Sequence, residues 1–128
     1  MPASDVEILR ERSFDYLAES KRLVEEGKWG LAMVAIHQHC ELLLKYYALK
    51  LNNSYPRAYS LRELIRLLVK HKKELNDLIN NEYNILKLTR LEDGYISSRY
   101  FPVRSSEGDV VPLARFVEDV FDEYLSGL

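Results

Sequence analysis

Breakers of regular structure are scarce in this chain, with five Gly and four Pro in 128 residues. That scarcity excludes a collagen-like or low-complexity chain, and with Leu, Glu and Lys abundant it favours an all-α fold. The single cysteine, Cys40, cannot close an internal disulfide, which excludes a disulfide scaffold and points to a reducing compartment. Cys40 then reads as a small core residue. Charge of one sign is also lacking. A formal net charge of −2 argues against a protein that coats DNA or RNA indiscriminately, because such binding rests on many Lys and Arg contacts per site. A local basic site stays open. No n-region with an apolar h-region opens the chain, and its most apolar segment is interrupted by His37, Gln38, Glu41 and Lys45. Neither a signal peptide nor a membrane span is expected, and the expected location is cytoplasmic. Three histidines and one cysteine give no zinc spacing, and there is no glycine-rich phosphate loop, nucleophile elbow or kinase set. No metal and no cofactor is expected.

What is present is helix. The length suits a single domain, residues 1–128, around one core. Trp29 to Leu51 is rich in Leu and Ala, has no Pro, and carries apolar residues on every side, so it is expected as the central helix, in contact with several neighbours. Before it, Ser4 with Glu7 reads as a capping box, Ile8, Phe14, Leu17, Leu23 and Val24 as a buried stripe, and Gly27 as the left-handed stop. Trp29 is expected to anchor that corner. After Leu51, Asn52 to Ser60 reads as a loop around Pro56, and Ser60 with Glu63 caps a third helix through Val69. Lys70 to Lys73 reads as a solvated basic stretch, Glu74 to Asn80 as a turn or short helix, and Asn81 as the cap of a fourth helix that Pro102 ends. Val103 to Val111 reads as a polar loop, with Pro112 in the first turn of a last helix ending near Leu125.

The polar residues inside this frame are the candidates for function. His37, Glu41 and Lys45, spaced four apart, form one rail on the central helix, with Gln38 beside them. Charges on a mostly buried helix must pair or face a groove, so Glu41 and Lys45 either bridge each other at a rim or line a site. On the fourth helix Glu92, Tyr95 and Arg99 share a face. They read either as a tyrosine hydrogen bond with an acid–arginine pair, or as a groove in which Arg99 meets a phosphate or carboxylate in bidentate fashion. Gly94 within that helix suggests close approach of a neighbour.

Taken together, the two constellations resemble the HEPN (higher eukaryotes and prokaryotes nucleotide-binding) domain family. His37-Gln38, Glu41 and Lys45, within Ala32 to Lys45, resemble its second-helix pattern. Leu91, Glu92, Tyr95, Ile96, Arg99, Tyr100 and Pro102 resemble its later marker, an acidic residue, a tyrosine and an Arg-Tyr-Pro run. Phe101 is inserted into that run, and Tyr59 stands where relatives often have histidine. The resemblance covers nearly the whole chain. It implies an up-and-down four-helix bundle with an additional, fifth, C-terminal helix, commonly a homodimer, with a groove near the second and fourth helices. Many prokaryotic members partner small nucleotidyltransferases in toxin–antitoxin pairs, and many others are metal-independent RNases that use an arginine followed four to six residues later by a histidine, late in the bundle. Here no histidine follows Arg90, Arg99 or Arg104, and the spacing recurs only at Arg66 and His71 on the third helix.

These observations leave three readings. The leading one is a non-catalytic HEPN-type protein that binds a nucleotide or RNA phosphate, or a nucleotidyltransferase partner, through His37, Glu41, Lys45, Glu92, Tyr95, Arg99 and Tyr100. In the second, an RNase toxin, Arg99 stabilises the scissile phosphate while His37 or Tyr95 replaces the missing histidine as proton carrier. In the third, a plain dimer, the polar rails only fix helix register. The missing late Arg–His motif weighs against catalysis.

Overall fold

The computed structural model describes residues 3–54 and 60–128, and the described chain is helical without a strand. The long helices are α1 (Ala3–Glu25), α2 (Trp29–Asn52) and α5 (Glu82–Tyr100). Shorter ones are α3 (Leu61–Leu68), α4 (Asn76–Asn80), α6 (Glu107–Phe116) and α7 (Asp122–Leu125), with a 3₁₀ turn at Lys73–Leu75 and a π turn at Val117–Phe121. The fold is the expected all-α bundle. Its last helical segment is divided, however, with α6, the π turn and α7 running on without a break. Among the described residues no helix is long and apolar enough to cross a membrane.

α2 is the central helix. Ala32, Ala35, Ile36, His39, Cys40, Leu43, Leu44, Tyr46 and Ala48 on it are buried, over more than half of its circumference. α1 packs along it as an antiparallel hairpin whose corner is Gly27, at φ +69°, with the Trp29 ring beneath. The buried stripe of α1 differs from the one expected. Leu23 is buried and Val24 packs against the core as expected, but Ile8 and Phe14 are exposed, and Ser13 and Ser20 are buried in their place. The reason lies on α2, where His39 is fully buried and takes Ser13 as its partner. The expected Ser4 cap, and Tyr55 to Tyr59 with Pro56, lie outside the described residues and side chains.

Ser60 caps α3 as expected, accepting from the Glu63 amide at 3.0 Å, and Asn81 caps α5 through the Asn84 amide at 3.1 Å. Two expectations need correction. Lys72 is not simply solvated, because its ammonium donates to the carbonyls of Tyr124 (2.7 Å) and Ser126 (3.1 Å), closing the C-terminal end of α7. The segment before Pro112 is not a loop throughout, since α6 starts at Glu107 and Pro112 lies in its second turn. The missed signal is Ser106 with Asp109: the carboxylate accepts from the Ser106 amide (2.8 Å) and hydroxyl (3.0 Å), which starts the helix a turn early. In the π turn the Asp122 amide reaches back to the carbonyl of Val117. Val117, Phe121 and Leu125, four residues apart, are all buried.

Candidate functional site

α5 lies against α2 in the opposite direction, and a glycine permits the approach. A Cβ on Gly94 would come within 2.8 Å of Met33 Cε and 2.9 Å of its Sδ. Close apposition at that point lets the next residue, Tyr95, lie flat on His37, with ring centroids 3.8 Å apart and an interplanar angle of 7°. Arg99 comes one turn later on the same face. Its guanidinium donates to the Tyr95 hydroxyl and lies 4.8 Å from the centre of the Tyr95 ring and 4.7 Å from that of Tyr100. Contacts of this kind hold an arginine in place while leaving its charge unneutralised. Arg99 is exposed and makes no ion pair among the described residues.

His37 is the buried end of this ladder, at 4% exposure. Burial, opposed by the Gln38 side chain and reinforced by the positive charges of Arg99 and Lys45, pushes its pKa down to about 4, so the ring is neutral at pH 7. His37 Nδ1 and the neighbouring Gln38 Oε1 are both buried, and neither finds a well-aligned hydrogen-bond partner beyond the other. Buried polar atoms are nearly always paired, and leaving one unpaired costs about 1–3 kcal/mol. Burial also raises the Tyr95 hydroxyl pKa, against the lowering effect of Arg99.

The other expected residues divide. Lys45 donates to Glu41 at 3.3 Å, both side chains being mostly buried, so this part of the rail pairs within itself. Glu92 does not face Arg99. Its Oε1 accepts from the Leu61 amide at 2.6 Å, which makes it the acceptor at the N-terminus of α3. Burial raises its pKa, and the Leu61 N–H partly offsets that. The structure thus brings His37, Tyr95, Arg99 and Tyr100 together, keeps Glu41 and Lys45 as a pair along α2, and assigns Glu92 to another helix.

A second polar cluster gave no signal in the sequence beyond its residue types. His39 Nε2 lies 2.8 Å from Asp122 Oδ1, and its Nδ1 lies 2.8 Å from Ser13 Oγ and 2.9 Å from the Ser13 carbonyl. These residue types suggest a nucleophile set, but Ser13 is fully buried and its hydroxyl donates to the His39 carbonyl at 2.8 Å. The serine is therefore not available to attack a substrate. The cluster ties α1, α2 and α7 together. Cys40 is buried, which pushes its thiol pKa well up and leaves it inert. Among the described residues no group of three His, Cys, Asp or Glu side chains could hold a metal ion.

No curated protein and no solved structure gives a significant match to the chain. The family model described as HEPN domain matches residues 6–127, a span that holds both the α2 rail and the Tyr95–Arg99–Tyr100 group. The chain therefore belongs to the HEPN domain family, whose function is in general related to nucleotides or RNA.

Proposed function

We propose that this chain is a non-catalytic HEPN-type binding subunit that takes a nucleotide or RNA phosphate at Arg99, with Tyr95 and Tyr100 as the flanking aromatic surfaces. The observation that carries this reading is an exposed guanidinium set against two tyrosine rings, with no carboxylate paired to it among the described residues. A planar cation held this way suits bidentate contact with a phosphate, and the exposed Tyr100 ring offers a face to a base. Lys45 and Glu41 on α2 add a polar border, and Glu92 contributes indirectly by holding the start of α3 beside α5.

The geometry supports binding over cleavage. A proton carrier must reach the substrate, and His37 lies buried with the Tyr95 ring stacked on it. A small nucleotidyltransferase as protein partner rests on the family resemblance. The test is anisotropy of a labelled mixed-sequence RNA, with cleavage followed on gels in EDTA. Wild type is expected to bind without cleaving, and Arg99→Ala to bind about tenfold more weakly. RNA cleavage that disappears in Arg99→Ala would overturn the non-catalytic reading, and no RNA binding by wild type would overturn the ligand.

A further inference from the structure

Beneath the Tyr95 ring, His37 and Gln38 bury two polar atoms that answer each other. His37 Nδ1 and Gln38 Oε1 are both enclosed, and the Gln38 side chain is the hydrogen-bond partner that acts on the imidazole. An amide oxygen only accepts, so the single proton of the neutral ring belongs on Nδ1. The other tautomer would set two lone pairs against each other out of reach of water, and a buried acceptor without a donor is costly. Gln38 therefore fixes the ring with its lone pair on Nε2.

Nε2 lies on the opposite edge of the imidazole. His37 is 4% exposed, yet Nε2 is not among its enclosed unpaired atoms, and it has no hydrogen-bond partner among the described residues. The Tyr95 ring lies 3.8 Å away at an interplanar angle of 7°, and a ring stacked this way closes a face and not an edge. The result is an acceptor of fixed orientation that no protein donor uses.

Its surroundings say what kind of donor reaches it. Tyr95 adjoins the Arg99 guanidinium, 4.8 Å from the ring centre, and the charges of Arg99 and Lys45 both act on His37. A phosphodiester held by Arg99 has no donor of its own at neutral pH. The nearest donor in an RNA strand is the ribose 2′-hydroxyl beside that phosphate, since a base stacked on the exposed Tyr100 ring is directed outward. We infer that His37 Nε2 accepts a hydrogen bond from a ribose 2′-hydroxyl, so that the site tells RNA from DNA, and that Gln38 is the positioning residue that sets the required tautomer. The inference rests on the reading of Arg99 as a phosphate site. Burial keeps the ring too weak a base to take the hydroxyl proton, so the contact binds without cleaving.

The test compares three labelled strands of one sequence by anisotropy: RNA, DNA, and RNA with 2′-O-methyl ribose, which keeps the oxygen and loses the donor. Wild type is expected to bind the RNA about tenfold more tightly than either of the others. His37→Phe, which keeps a ring against Tyr95, should bind all three alike. Gln38→Leu should lose most of the preference too, because an Nδ1–H left without an acceptor favours transfer of the proton to Nε2. Long-range proton–nitrogen NMR of the ring reads that transfer directly, and circular dichroism checks that the variants fold. Arg99→Ala should weaken all three strands. Equal binding of RNA and DNA by wild type would overturn the hydroxyl contact and leave the phosphate site standing, whereas no binding of any strand would overturn the phosphate site and the contact with it. A preference for RNA that survives in His37→Phe would also overturn the inference. So would a wild-type ring protonated on Nε2, a result that needs no bound RNA.

Discussion

His37 makes the stability of this protein depend on acidity. Its folded-state pKa, held down to about 4 by burial, lies below the ordinary value of 6.5. Between those values the unfolded chain binds the proton and the folded chain does not, so stability falls as pH drops through that window and is regained above it. A shift of that size corresponds to roughly 3 kcal/mol between pH 7 and pH 4. His37→Phe can keep a ring against Tyr95 and cannot titrate. Urea titrations at pH 7 and pH 4 are expected to show a smaller loss in His37→Phe than in wild type, and equal losses would show that His37 is not the group responsible. At the same scale, Arg99→Lys is informative because lysine keeps the charge but loses the planar fork. RNA affinity in Arg99→Lys should fall nearly as far as in Arg99→Ala, as measured by anisotropy, if stacking between the tyrosines matters as much as charge.

Two features of single helices set how α5 sits. Glu92 is the acceptor for the first amide of α3, and Glu92→Ala should cost about 1–2 kcal/mol while speeding exchange of the Leu61 amide proton. A glutamate that faced a ligand instead would leave that amide unchanged. Gly94 sits against the side chain of Met33, which is itself buried. Alanine there gains about 1 kcal/mol of helix propensity, but overpacking costs about 1–3 kcal/mol. Gly94→Ala should therefore lower the melting temperature in wild type and raise it when Met33→Ala has made room, a non-additivity that a double-mutant cycle reads directly. The sequence shows that some neighbour approaches Gly94, but which residue does so depends on tertiary packing. The same limit applies to Glu92. Its spacing places it on one face with Tyr95 and Arg99, yet a long side chain at the edge of that face found an unpaired amide on α3 instead.

Across the whole molecule, the helices, the Gly27 corner and the central place of α2 were legible because periodicity and breakers are local signals. Less legible were contacts between residues far apart in the chain. Ser13, His39 and Asp122 belong to three helices and carry no shared spacing, so nothing in the sequence joins them. The Ile8 and Phe14 stripe failed for the same reason, since a partnered serine at position 13 turned α1 about its axis. Removing one partner of a buried pair costs about 3–5 kcal/mol, and somewhat less here because Asp122 is 20% exposed. Asp122→Ala should lower the urea midpoint with little change in slope, and the loss in Asp122→Asn should be smaller, because the amide oxygen still accepts from His39.

That pairing also depends on the π turn before it. An i→i−5 hydrogen bond encloses one residue more than the α-helical ladder, so Val117–Phe121 takes up a surplus residue without turning α7 away from the core. Chain length is therefore negotiable at this point. Deleting the exposed Asp119 should tighten the turn into ordinary α-helix and leave Asp122 at His39, whereas deleting a residue within α5 would rotate Tyr95 by about 100° away from His37.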